Sequence, residues 1–201
     1  GSRVTYASAM VVTKAAEQVI RALRERAAKI WNIGPEAVGW EDGAAGPGNP
    51  GFGAGAPPGL WSTGHRNPQG AALHPGSGEL WISEHGPQGG DEINIARSGL
   101  NYGWPVISYG QEYGTTMQVG EGTAKAGMEQ PLTYWETIDG APWTGGAKSS
   151  IAPSGLAFYG ADAIPQWKGN LFSGALIGTA LWRLTLNGDA VTGRERLLAE
   201  R

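Results

Sequence analysis

The hydrophobic pattern changes its period once along the chain. Between Ala9 and Trp31 there is neither Gly nor Pro, and Val12, Ala16, Val19, Leu23, Ala27 and Ile30 recur at spacings of three and four. That period puts them on one face of a helix. Lys14, Gln18, Arg21, Glu25 and Lys29 fall mostly on the other face. The pairs Glu17–Arg21 and Glu25–Lys29 have the favourable i,i+4 order, worth ~0.2–0.5 kcal/mol each. Ser8 fits an N-cap, and Asn32-Ile33-Gly34-Pro35 is a stop signal: Gly accepts the left-handed cap and Pro disfavours helix at the residue before it. The pattern predicts one amphipathic helix with a buried stripe.

From Leu60 onward the pattern shortens to strands separated by turns. Ala71–Pro75, the turn Gly76-Ser77-Gly78 and Glu79–Glu84 read as a hairpin. A second set runs through Gly155–Tyr159, Asn170–Leu176 and Ala180–Leu186 to the turn Asn187-Gly188-Asp189. Short strands at this spacing suit the four-stranded blades of a propeller. Between the two sets, residues 110–149 read as long and irregular, and such loops are commonly functional. Residues 44–59, nearly all Ala, Gly, Pro and Asn, read as a linker. The organisation predicted is a helical segment over 1–43, a Gly/Pro-rich linker over 44–59 and a β domain over 60–201.

Composition supports a folded, turn-rich chain. There are 34 Gly and 13 Pro among 201 residues, yet also nine Trp, six Tyr and three Phe, an aromatic content that disordered chains lack. The net charge of −3 and the absence of a basic stripe argue against nucleic acid as a partner. No apolar run is long enough for a membrane span, and no signal peptide is recognisable. Zero Cys excludes disulfides and thiolate metal sites.

Candidate chemistry concentrates in residues 60–111. Arg66 is planar, permanently charged and bidentate toward carboxylates, and Asn67 beside it both donates and accepts. Glu84–Glu92 holds the backbone-permissive Gly86, Pro87, Gly89 and Gly90 followed by Asp91 and Glu92. That mix of carbonyl and carboxylate oxygen suits a hard cation, although the alternating acids of an EF-hand are missing; a solvated acidic loop is the alternative. Tyr102 and Trp104 read either as site or as aromatic packing. His65, His74 and His85 lack zinc spacing, and neither a GxSxG elbow nor a Walker loop occurs.

Five motifs in order then carry a resemblance. Gly64-His65-Arg66-Asn67-Pro68-Gln69-Gly70, Glu84–Glu92, Gly99–Pro105, Ser150–Gly155 and Trp167–Phe172 resemble soluble PQQ-dependent aldose sugar dehydrogenases, of the glucose/sorbosone dehydrogenase family, over about residues 60–198. The resemblance implies a mainly β fold, here a partial six-bladed β-propeller of antiparallel blades preceded by the amphipathic α-helix. It implies oxidation of aldose sugars to lactones by hydride transfer to PQQ, with Ca²⁺ as second cofactor and an external electron acceptor. Arg66 and Asn67 match the pair at the quinone, and Ser150 a cofactor-face position. Tyr134 and Trp135 resemble the aromatic pair ahead of it, with Glu136–Ala147 reading as an insertion. Gly86 and Pro87 match the carbonyl ligands of the cofactor Ca²⁺. Glu92 and Tyr102 match a second, structural calcium site. A periplasmic or secreted location goes with the family.

The departures have consequences. No residue matches the family's general-base His, so no catalytic residue is assigned and turnover by this chain is expected to be weak or absent. Uncovered blade faces predict self-association or partial disorder. The alternative is a non-catalytic calcium-binding propeller fragment or interaction module. Gly1–Tyr6, the helix and Pro35–Gly43 also resemble a fragment of the molybdopterin-binding subunit of the xanthine dehydrogenase and aldehyde oxidase family, too short to enclose that cofactor.

Overall fold

The computed structural model describes Arg21, Glu25 and residues 60–139 and 147–198. The chain divides into two compact units, Gly1–Asn49 with Pro57–Gly59, and Pro50–Ala56 with Leu60–Arg201. In the first unit Arg21 and Glu25 are helical and exposed, as residues on the polar face of the expected helix would be. The rest of that helix, the linker over 44–59 and the stretch that resembles the molybdopterin subunit lie outside the described residues.

The second unit is mainly β. Its strands are β1 (Pro68–Leu73), β2 (Leu80–Glu84), β3 (Asp91–Ile95), β4 (Thr133–Trp135), β5 (Ile138–Asp139), β6 (Lys148–Ser149), β7 (Pro153–Phe158), β8 (Leu171–Ala175), β9 (Ala180–Asn187) and β10 (Ala190–Leu197). β1 to β4 form one four-stranded sheet and β7 to β10 another, each in sequential order, with β5 and β6 pairing separately. Every strand pair is antiparallel. Two successive meanders of this kind are consistent with blades of a propeller-like fold.

The hairpin read from residues 71–84 forms, with Leu73 opposite Leu80. His74 closes its turn, accepting Gly78 N–H on its carbonyl and donating its own N–H to Glu79 O. The turn at Gly188 joins β9 to β10, and its positive φ of 58° suits glycine. Several strands depart from the sequence pattern. Asp91 and Glu92, read as the acidic end of a loop, begin β3 instead. β4, β5 and β6 lie inside the stretch that read as irregular, because two or three residues are too few to show a period. β10 is charged on both faces and pairs only with β9, so it carries no alternation to read.

Trp81, Ile93, Ile95, Trp135, Ile151, Leu156, Leu171, Ala175 and Leu184 form one buried cluster drawn from both large sheets. Full burial of each large side chain contributes ~1.5–3 kcal/mol. The first strands of the two sheets, β1 and β7, pack side by side. Their seam is polar as well as apolar: Ser83 Oγ donates to Ser154 O at 2.9 Å, and His85 Nε2 donates to Pro153 O at 2.7 Å. Arg97, just after β3, also reaches Asp189 in the β9–β10 turn at 2.8 Å. The Glu84–Asp91 connection therefore sits on a rigid seam between two sheets.

Candidate functional site

The site is built on two adjacent turns, one entering β1 and one joining β2 to β3. In the first, Gly64 has φ of 72°, and a Cβ there would lie 2.1 Å from Asn101 Oδ1 and 2.4 Å from the Gly103 amide. Only glycine lets the chain pass so close to the Asn101–Gly103 segment. Gly64 O in turn accepts the Trp104 N–H at 2.9 Å. This contact carries Tyr102 and Trp104 to the side of Arg66. In the second turn Gly89 and Gly90 both have φ of 70°. Asp91, fully buried, ties it down: Oδ1 accepts Gly86 N–H at 2.9 Å and Oδ2 accepts Ala152 N–H at 3.0 Å. Burial pushes the Asp91 carboxyl above its ordinary range, against the pull of those two amide bonds. Ser150 Oγ braces the turn from behind, accepting Gly89 N–H at 2.9 Å and donating to Pro87 O at 3.3 Å.

Between the turns lies a pocket of about 280 Å³, counting the part open to solvent, lined by Arg66, His85, Gly86, Glu92, Tyr102 and Trp104 among others. Arg66 donates through Nη1 to His85 O at 3.0 Å and through Nη2 to the Tyr113 hydroxyl at 3.1 Å. Its guanidinium lies 5.1 Å from the Trp104 ring centre, a cation–π distance. Its Nε is buried with no hydrogen-bond partner. Arg66 makes no ion pair among the described residues. A positive charge held in place, unneutralised and with a buried donor unsatisfied, fits an anionic group bound beside it.

Across the pocket floor, Glu84 and Glu92 share the Asn94 side-chain amide, which donates to Glu84 Oε1 at 2.9 Å and to Glu92 Oε2 at 3.1 Å. Burial pushes Glu92 up to about 7 from its ordinary 4.5; the Asn94 bond pulls it down, while the charges of Glu84 and Asp91 add to the rise. Asn94 Oδ1 is buried and unpartnered in the same place. Oxygen-rich surroundings of this kind fit a hard cation. Among the described residues no three His, Asp or Glu side chains converge as a metal ligand set. A cation here would draw on main-chain carbonyls as well as carboxylates.

The residues singled out from the sequence are distributed unevenly. Arg66, Gly86, Glu92 and Tyr102 line one pocket. Asn67 is exposed beside it, its carbonyl accepting His85 N–H at 3.0 Å and its Oδ1 accepting from Gln69 at 2.8 Å. Pro87 and Ser150 are buried behind the turn. The Tyr102 hydroxyl is turned away from Glu92: it donates to Ile95 O and accepts Arg97 N–H at 2.9 Å. Trp135 is 3 % exposed and packs in the core against Trp182, while Tyr134 stacks on Tyr109 with ring centres 3.8 Å apart. Neither is among the residues lining the Arg66 pocket. They support the turn from the β4 side, with Trp135 O accepting Gly90 N–H at 2.8 Å. Sequence reasoning did not single out Glu84 and Asn94 as site residues. The only signal was that Glu84 opens the glycine-rich turn.

Comparison with known proteins places these turns in context. The family profile described as Glucose / Sorbosone dehydrogenase matches residues 37–201, starting upstream of the expected boundary near residue 60. The chain is 46 % identical over 143 residues to the aldose sugar dehydrogenase YliI of Escherichia coli (strain K12), covering 71 % of this chain and 35 % of that protein. A crystal structure of a glucose dehydrogenase superposes with TM-score 0.69 at 48 % identity, covering 79 % of this chain and 43 % of the other. The PQQ-bound aldose sugar dehydrogenase of Streptomyces coelicolor superposes with TM-score 0.54 at 30 % identity, over 78 % of this chain and 36 % of that one. The chain thus spans well under half the length of these relatives.

Proposed function

The chain belongs to the glucose/sorbosone dehydrogenase family, and from that premise we propose that it carries one wall of a PQQ and Ca²⁺ site on a six-bladed propeller that oxidises aldose sugars to lactones. When bound, PQQ would supply the hydride acceptor and Ca²⁺ a Lewis acid. The observation that supports this most is Arg66, whose charge is immobilised over Trp104 without a carboxylate partner among the described residues. In that position it stabilises negative charge on whatever anion it faces. Asn67 is the adjacent polar contact. The carbonyls of Gly86 and Pro87 would hold the cofactor's ion, in a turn that Asp91 and Ser150 keep rigid. Glu92, with the Tyr102 segment, would hold a second cation. An external electron acceptor and a periplasmic or secreted location belong to the same reading.

Titration calorimetry with PQQ tests it. Binding is expected with Ca²⁺, is expected to be lost on chelation, and should fall at least tenfold in Arg66→Ala, the loss of a charged hydrogen-bond partner. In a dye-reduction assay with glucose the 201-residue chain is expected to turn over weakly or not at all, because no residue matches a general base. Robust turnover would overturn that part. A second reading, a non-catalytic cation-binding module, is favoured by the buried Glu84 and the half-buried Glu92 that share the Asn94 amide. Ca²⁺ raising the melting temperature with no PQQ binding would support it instead.

A further inference from the structure

We infer that Glu84 is the positioning residue of the Arg66 turn, and that through this turn it sets the affinity of the pocket for an anionic cofactor. The inference rests on the reading of Arg66 given above and adds to it a residue with no assigned part in the site. Glu84 closes β2 and is 4 % exposed. Three donors from two segments, the turn entering β1 and strand β3, converge on its carboxylate. His65 Nδ1–H lies 2.7 Å from Oε1, and the Arg66 backbone N–H lies 3.0 Å from Oε2. Asn94 Nδ2–H lies 2.9 Å from Oε1. A carboxylate only accepts, so the proton of His65 that faces it is on Nδ1. The other ring nitrogen of His65 meets Ser62 Oγ at 2.8 Å, and the ring stacks on Tyr102 at 4.5 Å.

The consequence is a division of labour around Arg66. Glu84 grips its main chain and its neighbour His65, and Asn94 reaches the same carboxylate from β3. The guanidinium, by contrast, touches a carbonyl, a hydroxyl and an aromatic face. The nearby buried acid therefore fixes where the positive charge stands without neutralising it in an ion pair. Charge-assisted bonds to a buried carboxylate are about twice as strong as neutral ones, which suits a part that must hold a turn still. Preorganising a charge in this way raises affinity by sparing the ligand the ordering cost.

Glu84→Gln keeps the shape and removes the charge and one acceptor. Whichever way the amide turns, the bond from Arg66 N–H becomes neutral or is lost. Amide hydrogen exchange of the whole 201-residue chain, without ligand, reads this directly. Protection at Arg66 N–H is expected to fall about tenfold, the size of one charged hydrogen bond. Protection at Leu171 and Leu184, in the other sheet, should stay as it was. Calorimetry with PQQ and Ca²⁺ should show about a tenfold loss of affinity in Glu84→Gln, and the double variant with Arg66→Ala should bind no more weakly than Arg66→Ala alone. Unchanged Arg66 protection, or additive losses in the double variant, would overturn the inference. Failure of the unsubstituted chain to bind PQQ would sink the functional reading instead, and the exchange measurement would still decide the role of Glu84. Should Glu84→Gln not fold, Glu84→Asp keeps the charge but shortens the reach, and the same loss at Arg66 N–H is expected.

Discussion

At the scale of single residues, the site is a problem of charge placement. Arg66 is cationic and without a carboxylate partner among the described residues, while Glu84 and Glu92 are acids on the pocket floor and Asp91 is buried under the adjoining turn. Glu84 and Asp91 each accept from backbone amides, whereas Glu92 has only the Asn94 amide and faces two neighbouring negative charges. Its folded-state value of about 7 lies above the ordinary 4.5. Stability from this group is therefore fully present below about pH 4.5 and is lost as pH rises through about 7. At about 1.4 kcal/mol per tenfold, the difference amounts to roughly 3 kcal/mol. Thermal melts in chelator should show the melting temperature falling between about pH 4.5 and 7, and added Ca²⁺ should flatten that slope by favouring the ionised form. A flat profile in chelator would remove the argument for a cation at Glu92.

At the scale of the element, the turns do the positioning. Gly64 joins left-handed backbone to a close approach that a methyl group would obstruct, and its carbonyl holds Trp104 against the Arg66 turn. Gly64→Ala is expected to cost about 1–3 kcal/mol from backbone strain alone, more once the Asn101 contact is forced apart. Denaturant titration measures the cost. Asp91 plays the corresponding part in the second turn, with two backbone donors from opposite sides of the sheet seam. In Asp91→Asn one oxygen becomes an amide nitrogen facing an N–H, leaving a buried donor unsatisfied. A loss of about 1–3 kcal/mol is expected in the same titration, with weaker Ca²⁺ stabilisation because the Gly86 carbonyl is no longer held.

At the scale of the whole second unit, the pocket exists because two meanders share a core. Trp81 and Ile93 from the first sheet pack with Ile151, Leu171 and Leu184 around the second. Trimming this core should therefore act on both sheets together. Leu184→Ala, far along the chain from Arg66, is expected to cost ~2–5 kcal/mol as a cavity in a fully buried site. Protease mapping should show β1–β3 and β7–β9 losing protection in concert; loss confined to the second sheet would mean the two do not stabilise each other.

Much of this protein was determined by local pattern. The hairpin at 71–84, the strands β7 to β9 and the turn at Gly188 follow from alternation and turn chemistry, which act over a few residues. Arg66, Gly86, Glu92 and Tyr102 were marked by motifs, and they do meet in one pocket. The tertiary structure alone decided the rest. Trp135 and Trp104 look alike in sequence, yet one is core and the other faces Arg66, because burial depends on which sheet packs behind a residue. β4 and β10 exist through pairing with β3 and β9, not through a pattern of their own. Glu84 meets His65 and Arg66 across nineteen and eighteen residues of chain, and Asp91 meets Ala152 across sixty-one. No period or motif records such meetings, because they are made by the register of strands and the packing of sheets.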